Sequence, residues 1–158
     1  MATQLGDFTA GQILTAADLN LIATWTTFTP SFTGVTLGSG SLNTGQYCRV
    51  NNILFIRTKT ILGTGGSFTN PVLTVPDSGV MTGTPTMLWM PSMHGTMIDS
   101  GINSYALAVI HNSTTSLGLY AQTASGTYLT YTTAVSSTVP FTSGVNDYIE
   151  LAGYVQVN

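Results

Sequence analysis

Residues able to support acid–base or nucleophilic chemistry are few in this sequence. His94 and His111 are the two histidines, and Asp99 follows His94 by five positions. A Ser-His-Asp set could be assembled from them, but no G-x-S-x-G turn singles out one of the 14 serines as a nucleophile. A turn histidine in PSMHG and a strand-end histidine in VIHNS explain the two residues better.

The carboxylates do not form a recognisable catalytic pair either. Glycoside cleavage needs two acids that flank the scissile bond, and the chain has six acids in all. Asp18 is explained by a helix cap, and Asp77 and Asp147 by turns. Asp99 has no assigned role, and Glu150 lies in a predicted strand close to Asp147. We therefore predict that the protein is not an enzyme.

Metal and cofactor sites are also not predicted. Cys48 and the two histidines show no metal-ligand spacing, and Cys48 is best interpreted as a small buried hydrophobe. The glycine-rich stretches GTGGS and GSGS lack the helix and lysine that follow a phosphate-binding loop. The sequence thus predicts no catalytic residue, no metal and no cofactor.

Aromatic residues leave one binding alternative open. Trp25, Trp89 and seven tyrosines could supply a platform on which sugar rings stack. Most of them fall at predicted strand positions, where packing in a core or between subunits is the commoner role. A carbohydrate site therefore stays an alternative.

The composition is unusual in its lack of charge. Only 6% of residues are charged, against roughly 25% in an average soluble domain. Residues 19–48 and 100–146 contain no Asp, Glu, Lys or Arg, and polarity comes from 28 Thr and 14 Ser. Such a chain is not expected to bind nucleic acid through phosphate neutralisation. With little charge to keep copies apart, much of the surface is expected to contact other subunits.

The N-terminal part carries the only clear helix pattern. Thr15 and Asp18 have the spacing of a capping box, and Leu19 and Ile22 lie three apart, which predicts a short helix over residues 16–23. Residues 1–12 have no periodicity and are interpreted as an extended arm. No apolar run approaches the roughly 18 residues of a membrane span, and the start lacks the features of a signal peptide. No membrane association is predicted.

After Trp25 the pattern changes to the period of two that is typical of strands. ILFIRTKTIL would place Phe55, Arg57, Lys59 and Ile61 on one face of a strand, and Leu54, Ile56, Thr58 and Thr60 on the other. Eight to ten such segments, separated by Gly, Asn, Ser and Pro turns, predict an all-β, antiparallel β-sandwich or barrel. We expect an anchoring segment at residues 1–24 and a single β domain at residues 25–158.

The first 63 residues also resemble a known class of protein. GDFTAGQILTAADLN resembles a segment of tailed-bacteriophage virion proteins that introduces a β-structured tail, fibre or head-surface domain. The following stretch resembles the opening of those domains, and the similarity covers residues 6–63. The residues that match are Trp25, Phe28, Thr29, Pro30, Phe32, Gly34, Gly45, Tyr47 and Asn51 or Asn52.

The resemblance implies a homotrimeric β-sandwich of jelly-roll type on the surface of a virion made in the bacterial host cytoplasm. The short upstream segment favours a capsid decoration protein whose partners are its own copies and the major capsid protein. A tail fibre, minor tail or receptor-binding component that contacts host-surface carbohydrate is the alternative. Packing of the arm on its own domain is weighed equally with docking. The predicted subunit or capsid contacts are Phe8, Ile13, Leu14, Leu19, Trp25, Phe28 and Phe32.

Overall fold

The computed structural model describes residues 24–80, 92–125 and 128–157, and they form an all-β domain. Within these ranges the chain contains ten strands. They are β1 (Thr26–Phe28), β2 (Phe32–Thr36), β3 (Leu42–Val50), β4 (Ile53–Ile61), β5 (Ser67–Thr74), β6 (Ser92–Asp99), β7 (Asn103–Ser113), β8 (Ser116–Ser125), β9 (Tyr128–Ala134) and β10 (Tyr148–Gln156).

The strands pair antiparallel in one continuous sheet. Nine of them follow the order β1-β3-β4-β10-β6-β7-β8-β5-β2, and β9 pairs with the second half of β8. The sheet curls into a half-barrel, so that its two ends share one core. Strand β10, the last along the chain, lies between β4 and β6 and joins the two halves of the sheet.

Alternation along each strand decides which side chains enter the core. On β4, Leu54 and Ile56 are fully buried on the concave side, whereas Phe55 and Arg57 are exposed on the convex side. We call the concave side the inner face and the convex side the outer face. The inner face carries the main apolar cluster, with Phe68, Leu73, Met97, Leu117, Leu119 and Ile149 among its fully buried members.

The matched opening residues lie at both edges of the sheet, on β1 and β3 at one edge and on β2 at the other. Phe28 pairs with Gly45, whose missing side chain leaves room for the Phe28 ring, and the ring meets Tyr47 edge-on at 5.7 Å between centroids. The Asn43 amide donates a 2.8 Å hydrogen bond to the Pro30 carbonyl. Gly34 lies at a register shift in β2 with φ of 75°, a conformation that favours glycine. The motif thus has a structural role within the chain.

The sequence predicted the fold class correctly, since the described chain is an all-β antiparallel sheet. The expected arm and the helix at 16–23 lie outside the described residues. Strand β6 was missed, because PSMHG reads as a turn in the sequence. Among the residues that the structure describes, no helix is long and apolar enough to cross a membrane.

Candidate functional site

A shallow depression of about 420 Å³ lies on the outer face, over four neighbouring strands. Its floor and walls come from β3, β4, β10 and β6, which place side chains from distant parts of the sequence side by side. We call it the central depression. Its lining includes Thr44, Gln46, Arg57, Lys59, His94, Thr96, Glu150 and Ala152.

The first row of side chains explains why the depression exists. Gln46, Arg57, Ala152 and His94 lie directly opposite one another on consecutive strands. The single methyl group of Ala152 is flanked by two long side chains, those of Arg57 and His94. A short residue between long ones leaves a hollow on an otherwise convex surface.

The second row contains an ion pair. Thr44, Lys59, Glu150 and Thr96 are cross-strand neighbours in the same order of strands. The Lys59 ammonium lies 2.6 Å from the Glu150 carboxylate and 4.2 Å from the centre of the Tyr148 ring. The hydrogen bond to Glu150 is the main cause that raises the pKa of Lys59 above its ordinary value, and the negative charge of Glu150 adds to it.

Arg57 is held in place by neutral groups. Its Nε and Nη2 both donate to the side-chain oxygen of Gln46, the first at 2.9 Å. Its guanidinium carbon lies 4.7 Å from the centre of the Trp25 ring, which is cation–π distance. Among the described residues, Arg57 has no carboxylate partner. Its charge is therefore oriented but not neutralised there.

The charge of the central depression differs from that of the whole chain. Two of the three Lys and Arg residues, Arg57 and Lys59, line it together with one acid, Glu150. With His94 neutral, the lining carries a formal charge of +1, because 2 − 1 = 1, whereas the chain carries −3. An anionic group is thus favoured at this place on a weakly acidic protein.

The third cation has a different role. Arg49 lies 3.8 Å from Asp77, at the end of the sheet where β3 leads into the turn before β4. Burial, followed by the nearby Asp77 carboxylate, raises the pKa of the Tyr47 phenol. Both side chains of the Arg49–Asp77 pair are mostly shielded from solvent. This pair is part of the fold and not of the central depression.

His94 and Asp99, considered together from the sequence, lie on the same strand but on opposite faces of it. His94 is exposed on the outer face in the middle of β6 and does not lie in a turn, which corrects that interpretation. Asp99, an odd number of positions further along the same strand, points to the other side of the sheet. His111 lies near the end of β7, as predicted, with a buried Nε2 that has no partner among the described residues.

The predicted contact residues are placed in two different environments. Phe28 and Phe32 are partly buried and pack against the core of the same chain. Trp25 is 43% exposed and covers Arg57 at the edge of the outer face. The remaining four, Phe8, Ile13, Leu14 and Leu19, lie outside the described residues, so their contacts stay predictions.

The sequence predicted part of the central depression correctly. The alternation in ILFIRTKTIL correctly placed Arg57 and Lys59 on the same exposed face. It missed the other half, because Glu150 is 91 positions away from Lys59 in sequence. Charged residues are rare in this chain, and Glu150 and Lys59 both lie on predicted strands. Their charge was the sequence feature that could have indicated the site.

The described part of the chain offers no group of three or more His, Cys, Asp and Glu that could hold a metal ion. Cys48 is buried, as predicted, and burial raises the pKa of its thiol. The groups that line or flank the central depression can bind a ligand through charge, hydrogen bonds and aromatic rings.

Comparison with known proteins found no matching family model, no matching curated protein and no matching solved structure.

Proposed function

We propose that this protein is a structural component of a bacteriophage virion, and specifically a trimeric decoration protein on the outside of the capsid. The proposal includes the finer architecture expected from the resemblance: a jelly-roll type sandwich, an anchoring N-terminal helix and arm, and a homotrimer. Its partners would be two further copies of the chain and the major capsid protein. The resemblance over residues 6–63 supports this proposal.

The observation that carries it is a pair of exposed apolar side chains at one end of the domain. Ile102, in the turn between β6 and β7, is 72% exposed, and Val145, in the loop before β10, is 56% exposed. Exposed apolar side chains on an almost uncharged surface are expected where other subunits bind, because burying ions in an interface is costly.

The two loops at this end are held in fixed positions. The buried Asp147 carboxylate accepts hydrogen bonds from the backbone N–H groups of Ser100, at 2.9 Å, and Gly144. The loop before β10 is also joined to the end of β4, since Asn146 donates to the Leu62 carbonyl at 2.9 Å. A preorganised apolar end loses little conformational freedom on binding, which favours a permanent contact.

The test is to mix the purified protein with empty phage shells and, separately, with host cells. We expect it to coat the shells and to have a native mass of three chains. Ile102→Asp and Val145→Asp should each reduce shell binding or trimer formation. Thr142→Asp, which adds the same charge at an exposed position in the same loop, is the matched control. A native mass of one chain would contradict the trimer, and failure to coat shells would contradict the decoration role.

A second function is a tail fibre, minor tail or receptor-binding component that contacts host-surface glycans. The central depression favours it, because hydrogen-bonding side chains and aromatic rings meet there on an accessible face. In the same mixing experiment, this role predicts binding to host cells and none to shells.

A further inference from the structure

We infer that the central depression binds a carboxylate-bearing saccharide, with Arg57 receiving the carboxylate. The inference deepens the second function above and depends on it only for biological context.

Arg57 is the group suited to the carboxylate. Gln46 and Trp25 fix the guanidinium, and both are neutral, so the full positive charge stays available to a ligand. Two of the N–H groups are used by Gln46, which leaves the others for a carboxylate oxygen. Charge-assisted hydrogen bonds of this kind are shorter and stronger than neutral ones, and an arginine held in advance loses little entropy on binding.

The second row is suited to sugar hydroxyl groups. Lys59 and Glu150 neutralise each other at 2.6 Å, and they still offer donor and acceptor sites at an exposed position. Thr44 and Thr96 stand at the two ends of this row and add a hydroxyl each. The negative charge of Glu150 would repel a carboxylate on this side. The ligand is therefore expected to bind with its acid towards Arg57 and its hydroxyl groups towards Glu150.

The shape also fits a sugar better than an extended peptide. The central depression lies over paired strands in the interior of the sheet, where backbone groups are already hydrogen-bonded and cannot accept an additional strand. Its volume of about 420 Å³ falls within the range of small-molecule sites. Ala152 supplies an apolar floor for the C–H groups of a sugar ring.

The experiment is a titration of the full chain with matched pairs of methyl glycosides, followed by calorimetry and by NMR shifts. The pairs are glucuronide against glucoside and galacturonide against galactoside, which differ in having a carboxylate in place of a hydroxymethyl group. Sodium acetate is the third probe. We expect at least one uronide to bind about tenfold or more tightly than its neutral partner. Acetate should bind more weakly than that uronide.

Three variants locate the site. Arg57→Gln should weaken uronide binding about tenfold or more and bring it close to that of the neutral glycoside. Ala152→Phe should abolish binding of both, because it fills the hollow. Gln156→Glu, on an exposed part of β10 outside the lining, changes the net charge by the same unit and should leave affinity within about twofold, as a distant exposed charge is screened. Thermal unfolding of each variant checks that it is folded.

The outcomes separate this inference from the function on which it builds. Equal affinity for uronide and neutral glycoside would overturn the inference and leave a glycan-binding role standing. Acetate binding as tightly as the uronides would overturn it in favour of a simple anion site. Absence of binding by every probe, or unchanged affinity in folded Arg57→Gln, would also overturn it, and neither would bear on the decoration role.

Discussion

The inner and outer faces of the sheet are stabilised by different interactions. On the inner face of β4, Leu54 and Ile56 are packed out of contact with water. On its outer face, one residue along, Arg57 and Lys59 are partly solvated but are each held over an aromatic ring. The inner face is stabilised by the amount of apolar surface removed from water. The outer face is ordered instead by hydrogen bonds, an ion pair and cation–π contacts.

The few charged side chains of this protein are concentrated in two places. Three of the nine charged side chains lie together in the central depression, and two more form the Arg49–Asp77 pair at the end of the sheet. Thr and Ser provide most of the remaining polarity. Few other charged side chains compete for an ionic ligand. The charge cluster in the central depression therefore stands out in the electrostatic field of the protein.

The largest expected effect comes from opening the inner face. Phe68 is fully buried, so Phe68→Ala should destabilise the protein by about 3–5 kcal/mol through lost burial and a cavity. Phe55→Ala removes the same ring from the outer face, where Phe55 is 36% exposed and meets Tyr154 at 5.8 Å, and should cost below about 1 kcal/mol. Urea unfolding measures both. Equal losses would contradict the distinction between the faces.

The next effect comes from adding volume to each face. A Cβ at Gly95 would lie 2.9 Å from the Leu107 Cβ and 3.0 Å from Leu151 Cδ2, so Gly95→Val should destabilise by about 1–3 kcal/mol. Ala152→Phe adds a larger group above the outer face and should change stability by no more than about 0.5 kcal/mol. Thermal unfolding midpoints test this. A comparable loss from Ala152→Phe would mean that the hollow is part of the packed structure.

A smaller effect tests the order of the outer face. The Trp25–Arg57 contact is at an exposed position, so its coupling energy should be about 0.5–1 kcal/mol. A double-mutant cycle of Trp25→Ala and Arg57→Gln measures it. Zero coupling would indicate that Gln46 alone orients the guanidinium.

The smallest effect is the pH dependence of the Lys59–Glu150 pair. Folding raises the pKa of Lys59 above its ordinary value of 10.5. Its stabilising contribution is therefore fully present below 10.5 and is lost as the pH rises through the folded-state pKa. Below pH 10.5, the free energy of unfolding of the native protein should be slightly larger than that of Glu150→Gln. The difference should shrink as the pH rises above 10.5. A difference that grows above 10.5 would contradict this assignment.

Local patterns were sufficient to predict several features. The alternation along β4 placed four side chains on each face correctly, because side chains of a strand point to opposite sides regardless of the neighbouring strands. β6 was missed because Pro91 and Gly95 make its sequence resemble a turn, and its pairing with β10 and β7 overrides that local preference.

The sequence by itself determined the all-β class, the scarcity of charge and the burial of alternating side chains, since each depends on composition or on near neighbours. Only the tertiary structure decided that Glu150 meets Lys59 and that Ala152 forms a floor between Arg57 and His94. These relations depend on the insertion of β10 between β4 and β6. Strand order is set by the packing of the whole core, so no local pattern encodes it.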